Sequence, residues 1–313
     1  MRRLTHGDKM KKKTVVFGGT GLVGSHLKAD LKPVRNEVDL LDIDSIRQFF
    51  AENEFDTIVN CAGNVGGLGK NMSNNLEMFM SNMEMNMNLF KVIMENPGKI
   101  NKTISFLSTC VFPADVEYPL TEGKLHQGPP HFSNSGYAYA KRMGQVMADL
   151  MNDVGKYGKV ISVIPTNLYG PHDNFSIEDG HVIPSLIAKA HMASCDGFNL
   201  HAWGDGSPLR EFLYVEDVAD IIEIILDKYE STKPLILSHG HEVPISDAVE
   251  EIRKCVGLGD VIYQTEKPNG QHRKPSDPSE LLKLIGDYKF TPLSDGIKKT
   301  VKFYLENYPN VRK

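Results

Sequence analysis

Tyr137 and Lys141 stand four residues apart at the start of a segment, YAYAKRMGQVMADLM, whose composition is compatible with a helix. Residues at positions i and i+4 share one face of a helix, so the ammonium group can lie close to the phenol. A nearby positive charge favours the ionised form of an acid, and we therefore expect the pKa of the Tyr137 phenol to fall toward neutrality. Such a phenol can exchange a proton with the oxygen of a sugar or an alcohol.

The spacing alone is weak evidence, because Tyr-x-x-x-Lys occurs three times in the chain. The other two copies are Tyr229/Lys233 and Tyr263/Lys267. The first copy differs from them because the other motifs of the chain support a catalytic role for it.

Three evenly spaced glycines, Gly18, Gly21 and Gly24, follow an apolar segment near the start of the chain. In such a turn Gly18 permits the tight bend, Gly21 lets a pyrophosphate approach the backbone, and Gly24 lets the following helix lie close to the sheet. Because an apolar strand precedes the turn and the amphipathic segment LVGSHLKADL follows it, the pattern predicts a dinucleotide-binding site.

The residue that distinguishes NAD from NADP is expected about 20 residues further on. Arg35 suits the 2′-phosphate of NADP, whereas Glu37 would favour NAD. The connection around these residues is short, with little room for a full second strand. We favour NADP, and the alternative for Arg35 is a solvated surface charge.

Apolar strands and helices alternate through the first half of the chain. Strands are predicted over 57–62, 103–107 and 160–164, and helices over 43–53 and 75–94 and from the Tyr137 region onward. This alternation predicts an α/β fold with a doubly wound parallel sheet of the Rossmann type, covered by helices on both faces.

The second half of the chain changes character at residues 165–184, which are rich in Pro, Gly, Asn and His. This composition predicts a long structureless loop, and such loops are usually functional. Shorter mixed elements follow it. We therefore expect a cofactor-binding domain at 13–166 plus about 211–238, and a smaller mixed α/β substrate-binding lobe at 167–210 plus 239–313.

Composition narrows the class of protein. The chain has 313 residues and a formal net charge of −5, which argues against a nucleic-acid-binding protein. No apolar run reaches membrane-spanning length, and the basic segment 1–12 lacks the apolar core of a secretory signal, so we expect a solvated tail. The four cysteines have no metal-ligand spacing, which predicts free thiols, a cytoplasmic location and no metal site.

The glycine turn, Ser108 at a strand end and the Tyr137/Lys141 pair together resemble the extended short-chain dehydrogenase/reductases. The match is tightest over 105–184, where SFLSTCVFP and PTNLYGPHDNF stand, and continues through WGDGSPLREFLYVEDVA and EKPNGQHRKPSD. Within this superfamily the chain is similar to the enzymes that use NADPH to epimerise GDP-4-keto-6-deoxy-D-mannose at carbons 3 and 5 and to reduce carbon 4, yielding GDP-L-fucose. The resemblance also implies a homodimer, with helices 76–95 and 136–155 at its interface.

The resemblance implies a role for each of five side chains. Tyr137 would donate a proton to the sugar's 4-oxygen, Lys141 would hold the nicotinamide ribose, and Ser108 would hydrogen-bond the carbonyl oxygen. Cys110 would be the base of the epimerisation and His181 its acid. A thiol is expected to titrate near enough to neutrality for that role, and a histidine is a suitable partner.

The resemblance further implies contacts with the two nucleotides. Asp39 would touch the adenine of the cofactor. The GDP-sugar would be bound by five side chains, namely Asn167, Lys189, Trp203, Arg210 and Lys274. We assign His172 a structural role only.

Two other classes of function remain open. A nucleotide-sugar 4,6-dehydratase would carry an Asp-Glu pair where Thr109 and Cys110 stand, and a simple 4-epimerase would hold NAD tightly without a cysteine/histidine pair. A non-catalytic NADP-binding regulatory protein is the other class, because fold does not determine function.

Overall fold

The computed structural model describes residues 13–267, 269 and 271–313. The basic segment 1–12, for which the sequence predicts a solvated tail, lies outside the described residues. In chain order the strands are β1 (Thr14–Phe17), β2 (Thr57–Asn60), β3 (Lys102–Phe106), β4 (Lys159–Pro165), β5 (Asn167–Tyr169), β6 (Leu200–Trp203), β7 (Leu209–Arg210), β8 (Phe212–Tyr214), β9 (Leu235–Leu237), β10 (Val243–Pro244) and β11 (Val261–Gln264). The helices are α1 (Leu22–His26), α2 (Ile43–Glu52), α3 (Leu68–Ser73), α4 (Asn75–Glu95), α5 (Ser135–Val154), α6 (Val182–Asp196), α7 (Val215–Lys228), α8 (Ile245–Val256), α9 (Ser279–Ile285) and α10 (Leu293–Asn307).

A parallel sheet with the strand order β1-β2-β3-β4-β9 forms the centre of the molecule. Alternate residues along each strand point to opposite faces, so both faces of the sheet must be covered. Val16 and Val59 lie in one buried cluster with residues of α7, while the neighbouring Val15 and Ile58 lie in another with residues of α2 and α4. The doubly wound α/β architecture predicted from the sequence is confirmed.

The short connection after α1 explains why the sheet has no full strand beyond β1. The helix ends at His26, and the chain returns at once to pair Leu31 with Val15 in a single bridge. Leu31 accepts a hydrogen bond from the amide of Val16 and donates one to the carbonyl of Thr14, at 2.9 Å and 3.1 Å. The prediction that a full second strand would not fit is confirmed.

A third buried cluster lies beside the sheet and is formed by α6, α8, α10 and strands β5, β6 and β8. Leu281 of α9, although late in the chain, packs with the first sheet cluster, so part of the C-terminal third returns to the sheet. The division into a cofactor-binding domain and a substrate lobe stays a prediction.

The sequence-based expectation of a structureless loop over 165–184 is wrong at both ends. Residues Asn167–Tyr169 form β5, which pairs in parallel with β8, and α6 begins at Val182. The pairing joins Asn167 to Phe212 across a long stretch of sequence, which local composition does not reveal. In the described part of the chain, no helix combines the length and apolar character that a membrane crossing requires.

Candidate active site

A cleft of about 1590 Å³ opens where the carboxyl ends of β1, β2, β3 and β4 meet. Parallel strands end at a common edge of the sheet, which is the usual ligand site of this architecture. Nearly all of the side chains and glycines predicted to act in the site line this cleft: Gly18, Gly21, Gly24, Arg35, Asp39, Ser108, Cys110, Tyr137, Asn167, His181, Lys189, Trp203, Arg210 and Lys274. Lys141 does not line the cleft and lies behind it.

The glycine turn has the tight geometry that a dinucleotide site requires. Gly18 has φ of +78°, and a Cβ added to it would lie 2.7 Å from the amide nitrogen of Ala62. A Cβ at Gly24 would lie 2.2 Å from the carbonyl oxygen of Gly18, whereas one at Gly21 would meet nothing nearer than 3.4 Å. The turn is therefore packed against the backbone after β2 at Gly18, against its own backbone at Gly24, and is open at Gly21. This arrangement fits the diphosphate of a dinucleotide.

The residues that were expected to select the cofactor interact with one another or with their own turn. Arg35 lies 3.4 Å from the carboxylate of Asp39, and both side chains are exposed. Glu37, which would have favoured NAD, accepts a hydrogen bond from the amide of Val34 at 2.9 Å. Glu37 is thus engaged in local structure, and Arg35 is the cation available at this end of the cleft.

Ser108 and Cys110 stand on a short 3₁₀ turn, Thr109–Val111, directly after β3. The hydroxyl oxygen of Ser108 accepts a hydrogen bond from the amide of Cys110 at 3.4 Å. Because this contact uses the oxygen as an acceptor, the hydroxyl keeps its proton for donation, either to the neighbouring sulfur of Cys110 or to a ligand in the cleft.

Tyr137 and Lys141 lie in the first turns of α5, as the sequence predicts, but their electrostatics differ from the expectation. Lys141 donates a hydrogen bond to the carbonyl of Phe106 at 2.9 Å, and its Nζ lies 5.8 Å from the centre of the Tyr137 ring. Burial, followed by the neighbouring Cys110, raises the pKa of Tyr137 above its usual value. The expected fall toward neutrality is therefore wrong, because desolvation of the phenolate dominates. Burial also lowers the pKa of Lys141 to about 8.

The thiol of Cys110 is likewise shifted away from neutrality. Burial raises its pKa, and the positive charge of Lys274 is the largest effect in the opposite direction, followed by Ser108 and Lys141. The expectation that this thiol titrates near neutrality is wrong for the same reason as at Tyr137. Its thiolate depends on nearby cations.

Lys274 and Arg210 place two half-buried positive charges on the wall of the cleft. Burial lowers the pKa of both side chains. The backbone of Lys274 is fixed because its amide donates to Glu242 at 3.2 Å and the next residue, Pro275, accepts from Leu120 at 2.8 Å. Desolvated cations of this kind favour an anionic ligand such as a phosphate.

Trp203 presents an exposed indole flanked by two lysines. The Nζ atoms of Lys189 and Lys267 lie 5.1 Å and 5.7 Å from the indole ring. Sequence reasoning missed Lys267, which belongs to one of the other two Tyr-x-x-x-Lys copies. Lys267 could have been found from the segment EKPNGQHRKPSD, which contains it and which is part of the resemblance.

Asp173 is a second residue that sequence reasoning missed. His181, the residue before α6, has its Nδ1 3.9 Å from the carboxylate of Asp173, whose side chain is almost wholly buried. Within the described residues, the second carboxylate oxygen of Asp173 has no hydrogen-bond partner. The carboxylate of Asp173 is therefore the neighbour that faces the imidazole of His181. An irregular segment separates Asp173 from His181. Because neither helical nor strand spacing relates the two residues, the sequence could not indicate that they lie close together.

His172 and Asn167 are held by local contacts. His172 has φ of +64°, and its ring lies 5.6 Å from that of His26 and 4.5 Å from that of Phe303. Asn167 donates from its side-chain amide to the carbonyl of Glu211 at 3.0 Å. No group of three or more potential metal ligands occurs in the part of the chain that the structure covers.

Comparison with known proteins agrees with this geometry. Residues 14–238 match the NAD dependent epimerase/dehydratase family. The chain is 38% identical to the GDP-L-fucose synthase of Dictyostelium discoideum, over 97% of this chain and 98% of the relative, and 38% identical to a probable GDP-L-fucose synthase of Drosophila melanogaster, over 96% and 100%. A crystal structure of a GDP-L-fucose synthetase from Naegleria fowleri bound to NADP superposes with a TM-score of 0.91 at 38% identity, covering 97% of this chain and 96% of that one.

Proposed function

Because the chain belongs to the NAD dependent epimerase/dehydratase family, we propose that it converts GDP-4-keto-6-deoxy-D-mannose to GDP-L-fucose by 3,5-epimerisation and NADPH-dependent 4-reduction. The observation that carries this proposal is the presence of Ser108, Cys110 and Tyr137 on one cleft with an intact glycine turn. The full-length similarity to GDP-L-fucose synthases supports the choice of substrate.

NADPH would be held at the glycine turn, where Gly21 leaves the backbone open, with Arg35 directed to the 2′-phosphate and Asp39 to the adenine. When bound, the cofactor supplies a hydride to carbon 4 of the sugar. We assign to Lys141 the role of holding the nicotinamide ribose. Its ammonium group, which donates to the carbonyl of Phe106, would also contribute a positive charge near Tyr137.

Reduction of the carbonyl requires a proton at the 4-oxygen. The hydroxyl of Ser108 lines the cleft and would donate to that oxygen, which stabilises the negative charge that develops there. Because burial raises the pKa of Tyr137, its phenol remains protonated at neutral pH and suits the role of proton donor. A phenol with a depressed pKa would suit the reverse, oxidative direction better.

Epimerisation requires a base and an acid on opposite faces of the sugar ring. In the proposed mechanism, Cys110 removes the proton from carbon 3 or carbon 5 as a thiolate, and the electron pair moves onto the 4-oxygen as an enolate. His181 then returns a proton to the opposite face of the same carbon. Lys274 stabilises the thiolate, and the carboxylate of Asp173 lies beside the imidazole of His181.

The GDP portion would be bound by the cationic wall of the cleft. Arg210 and Lys274 offer half-buried positive charge to the diphosphate, and Lys189 stands beside the indole of Trp203, which would pack against the guanine. Asn167, the first residue of β5, would contact the hexose or the ribosyl phosphate.

A homodimer is part of the proposal. Helices α4 and α5 lie together on the surface and expose large apolar side chains, namely Leu76, Met80, Met87, Leu150 and Val154. An apolar surface of this kind, shared by two long helices, fits a partner copy of the same chain. A cytoplasmic location is also proposed, because all four cysteines are free thiols in the structure.

The test is an NADPH-consumption assay with GDP-4-keto-6-deoxy-D-mannose in deuterated water, with the product identified by chromatography and mass. GDP-L-fucose carrying deuterium at carbons 3 and 5 is the expected product. A 4-reduced sugar without deuterium at those carbons would contradict the role of Cys110 and His181. As a matched control, Tyr137→Phe should bind NADPH and GDP but produce no reduced sugar.

A further inference from the structure

Arg312, near the end of the chain, stands at the glycine turn at the beginning of the chain. Its Nη1 lies 3.5 Å from the position that a Cβ on Gly21 would occupy. Gly21 is the open point of the turn, where the backbone is accessible to a diphosphate. Arg312 also lines the same cleft as Gly21.

The backbone around Arg312 is anchored, so the position of the guanidinium is not that of a loose tail. Val311 is buried in the cluster formed by α6, α8 and α10. The carbonyl of Arg312 accepts a hydrogen bond from the amide of Phe175 at 2.8 Å. Phe175 in turn packs on Tyr304 of α10, with ring centres 4.9 Å apart. These contacts fix the backbone from which the Arg312 side chain reaches Gly21.

Among the described residues, none pairs with the guanidinium. Within residues 13–267, 269 and 271–313, no carboxylate forms an ion pair with Arg312 and no hydrogen bond involves its side chain. Its charge does contribute to lowering the pKa of His172, after burial and the neighbouring His26. An exposed guanidinium on an anchored backbone, beside a phosphate-binding turn, can form paired hydrogen bonds to phosphate oxygens.

We infer that Arg312 binds the diphosphate of the dinucleotide cofactor, opposite the backbone of the glycine turn. The diphosphate would then lie between the glycine turn, which follows the first strand of the sheet, and a cation from the C-terminal end of the chain. The inference rests on the proposed dinucleotide function of the cleft. It adds a cofactor-binding residue to that site and predicts that cofactor binding and the position of the C-terminal segment are coupled.

The test compares direct binding of NADPH and NADH to wild type, Arg312→Ala and Arg312→Lys by fluorescence titration. Arg312→Ala should raise the Kd for both cofactors by a similar factor, about tenfold, because the diphosphate is common to them and a charge-assisted contact is lost. Arg312→Lys should recover part of the affinity, since it keeps the charge but not the planar fork. Lys313→Ala is the matched control, and its Kd should stay within about twofold of wild type.

Two further measurements separate cofactor binding from a structural role. The Tm of Arg312→Ala and its Kd for GDP should equal those of wild type. Unchanged or tighter NADPH binding in Arg312→Ala would overturn the inference, as would an equal loss in Lys313→Ala or a loss confined to NADPH. A parallel loss of GDP binding and Tm would also overturn it, in favour of a packing role. If wild type itself failed to bind NADPH, the proposed function would fail together with the inference.

Discussion

Replacing Gly21 by alanine should separate cofactor binding from folding. Gly21 has φ of −81° and ψ of 178°, an extended conformation that alanine adopts without strain. The added methyl group would lie 3.4 Å from the carbonyl oxygen of Gly18 and 3.5 Å from Nη1 of Arg312, which are ordinary contact distances. The folded chain therefore has room for this methyl group. A diphosphate bound against the backbone of the turn would collide with it.

The expected magnitudes follow from these distances. Alanine restricts the unfolded chain more than glycine does, so Gly21→Ala should leave the free energy of unfolding unchanged or raise it by about 0.4–1 kcal/mol. The same methyl group stands where the diphosphate approaches the backbone. NADPH binding should weaken at least tenfold, which corresponds to a loss of about 1.4 kcal/mol or more in binding free energy.

Gly24→Ala is the matched contrast, because its methyl group collides with the turn itself. It would lie 2.2 Å from the carbonyl oxygen of Gly18 and 2.8 Å from Cα of Gly19. Both atoms belong to the backbone, which cannot rotate away as a side chain can. This variant should lose about 1–3 kcal/mol of stability as well as NADPH affinity.

The assay combines urea unfolding with fluorescence titration of NADPH and of GDP. For Gly21→Ala we expect an unfolding midpoint at or above that of wild type, normal GDP affinity and weak NADPH binding. Wild-type NADPH affinity in Gly21→Ala would refute the placement of the diphosphate at this glycine. Wild-type stability in Gly24→Ala would refute the close packing of the turn.

Three other predictions concern the chemistry of the cleft. Cys110→Ser should slow solvent-deuterium exchange at carbons 3 and 5 by about 100-fold or more while carbonyl reduction persists; continued exchange at both carbons would rule out Cys110 as the base. Lys274→Met keeps the length of the side chain without its charge, so the pH profile of exchange should move to higher pH, because the thiol pKa rises further; an unshifted profile would show that Lys274 does not stabilise the thiolate. The pKa of Lys141 is lowered to about 8, so reduction by bound enzyme should decline as pH rises through that value and the ammonium is lost; a rate independent of pH from 7 to 9 would contradict its electrostatic role.

The central sheet and the glycine turn were predictable because their signals are local. Apolar runs such as Val160–Ile164 and Thr57–Asn60 identify strands wherever they occur in a chain, and glycines directly after one of them define the turn. The residues at the carboxyl ends of these strands then had to converge, since parallel strands end at one edge of the sheet. The roles of Ser108 and Cys110 came from the resemblance, and their position directly after β3 agrees with this convergence.

Local sequence patterns could not predict the strand β5 or the roles of Asp173 and Arg312. β5 depends on pairing with β8, and Arg312 reaches Gly21 only because α10 and the segment after it fold back across the cleft. Contacts between residues so distant in sequence are fixed by tertiary packing, and nothing in the composition around either residue indicates them. The resemblance could supply roles only for positions within its motifs, and Arg312 lies outside those motifs.

The pKa values were predicted in the wrong direction because spacing reports on charge but not on burial. Tyr137 and Cys110 each have a lysine nearby, as a sequence argument can anticipate, yet both lie where desolvation of the anion outweighs that lysine. The depth of a side chain is a property of the assembled cleft. A phenol and a thiol that share one buried site are therefore both less acidic than the same groups in water.

In the proposed mechanism, the electrostatic coupling between Cys110 and Tyr137 influences the order of the chemical steps. Negative charge on Cys110 is one of the causes that raise the pKa of Tyr137. Whenever Cys110 is the thiolate that epimerisation requires, the phenol is therefore held more firmly in its protonated form, and it cannot act as a competing base toward the sugar. Once Cys110 has taken a proton from carbon 3 or carbon 5, its charge is gone and the phenol becomes a stronger acid. Proton donation by Tyr137 to the 4-oxygen is then easier, so the electrostatics of the cleft favour reduction after proton abstraction rather than before it.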